Sequence, residues 1–428
     1  MQLARLLAIA SLAALSVQPA LAAVHDLPTA SAENEGMSAE RLAHLSAGMK
    51  ELVDGGRLAG AVTMVSRHGK VVEYDAVGKR DIAANAPMQK DSIFRIYSMS
   101  KPITGVAMMI LFEEGKWQLN DPVAKYIPEF SKLKVYSTEA NGNVTTKDQN
   151  HPVTMRELMS HSGGFTYGFF SNTAVDKLQL EADLLNPNNT LDEFIKRVAK
   201  LPLNSQPGTE WHYSISVDIQ GYIVQKLSGM PFEEFLEKRI FKPLAMTDTG
   251  FYVPKEKLNR FAEFYNYDND GKLHAVGVRE GLNHDFSAKP ALSSGGGGLV
   301  STATDYMRFC QMLLNGGQLD GIRILSPLTV ELMHTNMLPP NLTTFAPGTG
   351  FGLDFAVYID TTAAGGYYGK GTYQWGGAAG TWFWIDPVND LIVVGMIQQA
   401  GGTGAAAVAG VPDVRGLSHA WTYQAIVK

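Results

Sequence analysis

The chain has 428 residues, 45% of them hydrophobic and 18% charged, with a net charge of −6 at neutral pH and a pI near 5.9. That length and composition give a globular protein with one large core or two intertwined ones. The acidic balance leaves no broad basic surface, which excludes nucleic acid and anionic lipid as principal partners and favours a small neutral substrate.

The opening stretch, "MQLARLLAIASLAALSVQPALAAVHD", carries Arg5, an apolar run from Leu6 to Val17, a helix-breaking Pro19 and then Ala20-Leu21-Ala22. This is the pattern of a secretory leader with a small-residue cleavage site, and the run is too short to span a bilayer comfortably. Residues 1–22 are expected to be removed near Ala22, giving a periplasmic or secreted protein, and no later segment reads as a membrane span. Residues 38–54 follow as an amphipathic helix with Ser38 as its cap. "GAVTMVSRHGKVVEYDAVG" then gives two alternating β-rich runs around His68-Gly69, a hairpin.

In "IYSMSKPITGVAMMILFEEGKW" the spacing S-x-x-K places Ser98 and Lys101 at the start of a long helical pattern, with Pro102 in its first turn. A serine there has an equal claim to be a simple helix cap. Position i+3, however, puts Lys101 on the same helix face, with Cβ atoms about 5–6 Å apart. A serine hydroxyl becomes a nucleophile only when a base takes its proton, and a lysine can do so once burial or nearby charge lowers its pKa. The free N–H groups of a helix N-terminus also stabilise negative charge developing on an attacked carbonyl. Ser131 and Lys134 in "FSKLKVY" repeat the spacing, but they follow a Pro-containing loop and precede no long helix, so that pair reads as a decoy.

From 97 to 285 the pattern is mainly helical with long loops, among them the polar stretch "YSTEANGNVTTKDQNH". His161 in "MSHSGGF" reads as structural, since no partner acid for a triad is evident. In "PGTEWHYSISVDIQGYIVQKLSG" a Pro-Gly turn leads to Tyr213, just before an amphipathic helix marked by Ile219, Ile223 and Leu227. Its phenol can project into a cleft there or simply pack in the core. The rival Tyr267-x-Asn269 lies in "NYDNDGK", whose Asp-Asn-Asp-Gly spells a hairpin turn.

The Gly-rich tracts "SSGGGGLVST" and "GGTGAAAVAG" read as tight turns beside a site. Cys310, the only cysteine, lies in the amphipathic "DYMRFCQMLL" as a small buried hydrophobe, so no intrachain disulfide forms. The ten histidines show no H-E-x-x-H pairing, and neither a metal nor a cofactor is expected. Trp375-Gly376-Gly377-Ala378 opens a strand where paired glycines permit close backbone approach. A strand pair turning at Asp386-Pro387-Val388-Asn389 follows, and "GLSHAWTYQAIV" reads as a final helix. Strands at both ends with helices between predict an α+β fold, an antiparallel sheet flanked by helices. The sheet domain would comprise 23–96 and 286–428, with 97–285 as an inserted, mostly helical domain.

Together, Ser98-x-x-Lys101, Tyr213-Ser214-Ile215 and Trp375-Gly376-Gly377 resemble the serine β-lactamase and penicillin-binding-protein superfamily. They are most similar to the family VIII carboxylesterases, which share the class C β-lactamase fold. The resemblance runs from about Gly36 to the C-terminus and includes "ELMSHSGGF", "PLAMTDTGF" and "GGGGLVST". It implies Ser98 as nucleophile, Lys101 and Tyr213 sharing the base role with the first proton unassigned, and the backbone N–H groups of Ser98 and Ala378 as the oxyanion donors.

The departures from the family pattern also carry information. Where relatives have Tyr-x-Asn, Ile215 cannot hold the side-chain amide of a β-lactam, and where they have K-T-G, Trp375-Gly376 cannot hold its carboxylate by charge. Ile215, Trp375, Gly376 and Gly377 are therefore expected to wall an apolar pocket. The implied activity is that of a serine carboxylesterase acting on small short-chain acyl esters, with weak cephalosporin hydrolysis at most. A β-lactamase, a D-aminopeptidase or an acyltransferase would use the same acyl-enzyme, and a non-catalytic peptidoglycan-binding protein is the alternative of a different class. No G-x-S-x-G occurs, so the α/β-hydrolase reading lacks its main sequence support.

Overall fold

The computed structural model describes residues 26–139, 144–268, 270–278, 283–400 and 412–428. The expected leader, Asn269 and the tract "GGTGAAAVAG" lie outside the described residues. Eight strands form one antiparallel sheet: β1 (Gly60–Arg67), β2 (Lys70–Asp81), β3 (Ala86–Pro87), β4 (Thr349–Phe351), β5 (Ala356–Tyr358), β6 (Tyr373–Gly376), β7 (Trp382–Asp386) and β8 (Leu391–Met396). Their order is β4-β5-β6-β7-β8-β1-β2-β3, so the first and last hairpins meet in the middle. The seam runs from Val62 opposite Met396 to Arg67 opposite Leu391.

Both hairpin turns follow from local chemistry. His68 (φ 49°) and Gly69 (φ 73°) take the left-handed conformation that matches the twist of the flanking strands. At the other turn the Asp386 carboxylate accepts from the N–H groups of Val388 and Asn389 at 3.0 and 3.1 Å.

Side chains alternate between the two faces of this sheet, and both faces are covered. Trp382, Trp384, Leu391 and Val393 pack with Leu42, Leu45 and Met49 of helix α1 (Ala39–Asp54) and with Tyr423. Phe383, Ile385, Ile392 and Val394 enter a larger core shared with α2 (Ser100–Glu113), α3 (Ser216–Ser228) and α4 (Ala303–Leu314). Ser38 caps α1 by accepting from the Arg41 N–H. Cys310 is buried in α4. The final helix, α5 (Val414–Tyr423), starts two residues before the expected "GLSHAW" because Asp413 caps it from the Gly416 N–H.

The sheet strands come from residues 60–87 and 349–396, while α2 and α3 lie between them in the chain. One expectation needs correcting there. The polar stretch after Lys134 is not a plain loop, since Val135–Thr138 pairs with Val144–Lys147. Its β-branched residues and tyrosine outweigh the polar composition. Among the described residues no helix is long and apolar enough to cross a membrane.

From Ser100 to Leu111 every residue of α2 is buried. A helix hydrophobic all round belongs in a core, and this one carries Lys101 in with it.

Candidate active site

The short strand Phe94–Arg95 pairs with Val300–Ser301 and leads into a single 3-10 turn, Tyr97–Met99, before α2 begins. Tyr97 has φ 39°, a conformation that a bulky residue adopts only when its surroundings impose it. The kink leaves Ser98 half-buried at the head of α2. Met99 occupies the cap position of that helix and no side chain caps it, so Ser98 is not a helix cap.

Lys101 is fully buried, with Nζ 3.2 Å from Ser98 Oγ, 3.1 Å from the Tyr167 hydroxyl and 2.7 Å from the Gly296 carbonyl oxygen to which it donates. Burial pulls its pKa down to about 7, against the opposing pull of Asp218 and Asp354. The first Gly-rich tract has its sequence for a steric reason. A Cβ on Gly296 would lie 2.5 Å from Asp218 Oδ2 and 2.7 Å from the Tyr167 hydroxyl. Asp218, on α3, fixes the tract by accepting from Ser294 Oγ at 2.5 Å and from the Gly296 N–H at 3.1 Å.

Tyr213, half-buried just ahead of α3, shares a hydrogen bond with Ser98 and accepts one from the Trp375 indole N–H at 3.2 Å. Lys101 Nζ sits 4.5 Å from the centroid of its ring. Burial holds the phenol well above its ordinary pKa, although the bonds from Ser98 and Trp375 pull the other way. Ser98, Lys101 and Tyr213 are thus brought into mutual contact.

Tyr167 completes the cluster, and no motif in the sequence marks it. It lies in the aromatic run of "SGGFTYGFF", directly after a stretch that did carry the family resemblance. Its loop is pinned by Asp176, whose carboxylate accepts from Thr166 Oγ1 (2.5 Å), the Gly168 N–H (3.1 Å), the Thr173 N–H and hydroxyl (both 2.8 Å) and Ser171 Oγ. Burial works to raise the Asp176 carboxyl, but bonds from Ser171, Thr166 and Thr173 outweigh it and hold it down to about 2.

His161 is buried with its ring 5.0 Å from that of Tyr213. Its Nδ1 meets Ser214, 2.9 Å from the hydroxyl and accepting from the N–H at 3.2 Å, where a triad would place a carboxylate. Burial, reinforced by Lys101, pushes the imidazole well below its ordinary pKa, so it stays neutral and acts as a wall for the tyrosine.

Across the site, a Cβ on Gly377 would lie 2.4 Å from the Ile96 carbonyl oxygen, so only glycine lets the chain leaving β6 pass the base of the nucleophile turn. That approach sets Ala378 beside Ser98, and both line a cavity of about 540 Å³. Ile215 lines it too. Trp375, Gly376 and Gly377 are not among the residues lining this cavity, and Trp375 meets the site through the Tyr213 hydroxyl. The indole of Trp375 is buried against Tyr213, Phe345 and Phe351 at 5.2, 5.8 and 5.4 Å and buttresses the tyrosine from behind. Among the described residues no cluster of three or more metal-ligating side chains occurs. A buried amine near neutrality, a hydroxyl beside it and a phenol on the far side of that hydroxyl can together move protons around an attacked carbonyl.

Comparisons with known proteins bear on the family and the fold. Residues 45–411 match the beta-lactamase family model. The Mycobacterium tuberculosis protein Rv1367c is 37% identical over 388 residues, 87% of this chain and 95% of that protein. Esterase EstB of Burkholderia gladioli is 30% identical over 362 residues, 80% of this chain and 87% of the esterase. Among solved structures, EstCE1, "a hydrolase with promiscuous acyltransferase activity", superposes with a TM-score of 0.75 at 27% identity, covering 90% of this chain and 99% of its own. The chain belongs to the beta-lactamase family, and within it to the esterase-type serine hydrolases of family VIII.

Proposed function

We propose that this enzyme hydrolyses short-chain acyl esters through an acyl-enzyme on Ser98. The observation that carries the reading is Lys101, fully buried within 3.2 Å of Ser98 Oγ and with its pKa pulled to about 7 by that burial. As Ser98 Oγ bonds to the ester carbonyl carbon, its proton passes to neutral Lys101 and the carbonyl oxygen takes up negative charge between the N–H groups of Ser98 and Ala378. Collapse breaks the ester C–O bond, and the departing alcohol is protonated through Tyr213. Because the Tyr213 phenol is held up, it enters the cycle as a proton donor, which leaves the first abstraction to Lys101. Water then attacks the acyl-enzyme by the same route in reverse. An acceptor alcohol in place of water would give acyl transfer, the side activity named for EstCE1.

Neutral esters are favoured over β-lactams because Ile215 offers no amide and, among the described residues, no lysine or arginine lines the cavity. Missing buried polar recognition commonly costs about 10²-fold or more in specificity. A panel of p-nitrophenyl esters run beside a chromogenic cephalosporin tests this. Acetyl to hexanoyl esters should be cleaved clearly, with cephalosporin kcat/KM lower by about 10²-fold or undetectable. A cephalosporin turned over as fast as the best ester would make the enzyme a β-lactamase instead.

Export is part of the same proposal and rests on Arg5, the apolar run and Ala20-Leu21-Ala22. The mass of protein recovered from a secreting host should correspond to a chain starting at Ala23. A mature exported form that retains Met1 would rule the leader out.

A further inference from the structure

The cavity next to Ser98 is larger than a short acyl group requires, and two aromatic residues at its mouth are left open to water. We propose that Phe169 and Phe170 bind the leaving alcohol through an aromatic ring, so that the preferred substrates are neutral esters of short acids with aryl-bearing alcohols. This rests on the reading of Tyr213 as the proton donor to the leaving oxygen.

Phe169 is 40% exposed and Phe170 58%, and both line the cavity. Their rings lie 4.7 Å apart, with Phe169 4.9 Å from Tyr167 and Phe170 5.1 Å from Tyr213. Adjacent exposed aromatics at a cavity mouth expose apolar surface that a ligand would cover. The loop is not free to fold them away, because Asp176 clamps it at Thr166, Gly168, Ser171 and Thr173. A platform held in place before binding loses less order when a ligand arrives.

Position decides which half of the ester it serves. The leaving oxygen must come within reach of the Tyr213 hydroxyl, itself bonded to Ser98, so the group on that oxygen runs past the Tyr213 ring, where Phe170 stands. Charge decides the kind of group. Among the described residues the lining contains one carboxylate, Asp183, and no lysine or arginine, which suits an uncharged ring and not an anionic one. A volume of about 540 Å³ falls in the range that holds drug-sized ligands, so most of it remains for the alcohol once a short acyl group is seated.

The test compares 2-naphthylmethyl acetate with 2-methoxyethyl acetate, whose leaving alcohols are of similar acidity, by pH-stat on the full chain. If each ring contact contributes about tenfold, the wild type should favour the naphthyl ester by about 10²-fold in kcat/KM. The Phe169→Ala/Phe170→Ala variant should lose at least about tenfold of that ratio, mainly through KM, and Phe170→Tyr should restore part of it. Both positions are exposed enough that the variants keep the fold. Fluorescence titration of Ser98→Ala with 2-naphthylmethanol reads the subsite without turnover. Binding to Ser98→Ala that weakens when the two phenylalanines are also removed, while the wild type cleaves neither ester, would leave the subsite standing and overturn the esterase reading. A wild-type ratio near one, or a ratio the double variant leaves unchanged, overturns the subsite itself.

Discussion

Ser98 with Lys101 and Ser131 with Lys134 share one sequence spacing, and the molecule treats them in opposite ways. Ser131 sits exposed in a 3-10 turn, Pro128–Lys132, with its hydroxyl donated to the Pro128 carbonyl oxygen at 2.7 Å. That turn ends before Lys134, which points into solvent and pairs with Asp148. Lys134 is 51% exposed whereas Lys101 is wholly buried. Solvent favours the charged form of an ammonium, which cannot act as a base. Burial in α2 removes that solvation, and the 3-10 turn running straight into the helix keeps Ser98 Oγ within 3.2 Å of Lys101 Nζ. The comparison shows that spacing supplies the candidates while desolvation supplies the base.

The sharpest way to break the comparison is to remove each hydroxyl in turn. Ser98→Ala should lower ester turnover by about 10³-fold or more, with Lys101→Ala and Tyr213→Phe comparable and the losses non-additive, because the three act as a unit. Ser131→Ala, by contrast, should stay within about twofold of wild type, as expected for a surface change. Steady-state kinetics on p-nitrophenyl butyrate reads both. If Ser131→Ala abolished activity and Ser98→Ala kept it, the roles assigned to the two stations would be reversed.

Much of this contrast was legible in the sequence because it depends on periodicity and context. The continuous apolar run Trp382-Phe383-Trp384-Ile385 ahead of its Asp-Pro turn and the alternation on either side of His68-Gly69 specify the two hairpins whose pairing joins the chain ends. The long apolar pattern after Lys101 distinguishes its pair from the decoy. Tyr213 could be placed because a turn and an amphipathic helix bracket it.

What could not be read depends on contacts between distant parts of the chain. Tyr167 lies 66 residues from Lys101, in a Gly-rich loop with no period to reveal its direction, and only the fold brings the two within hydrogen-bond reach. The strain at Tyr97 has no local sequence cause, since tyrosine does not favour φ 39°. The departure from K-T-G predicts an apolar wall at Trp375, but the sequence does not show that the indole N–H finds its partner in the Tyr213 hydroxyl.

A smaller effect sharpens the comparison further, because it probes desolvation itself and not the presence of a side chain. Lys101 must be neutral to accept the Ser98 proton, and its pKa in the folded protein is pulled to about 7 by burial. The active form therefore gains population as pH rises through about 7 and is lost below it. For a neutral ester, kcat/KM should be half-maximal near pH 7 and fall about tenfold per unit on the acid side. Asp218 and Asp354 oppose the fall in pKa, so the midpoint already includes their pull. Tyr167→Ala, which opens the wall 3.1 Å from Lys101 Nζ to water, should move the midpoint upward towards the ordinary lysine range. Lys134→Met should leave the profile superimposable on wild type, since that ammonium is solvated and remote in function. A wild-type profile that is flat from pH 5.5 to 8 while activity still requires Ser98 would show that another group takes the first proton, and that burial of Lys101 serves the fold and not the chemistry.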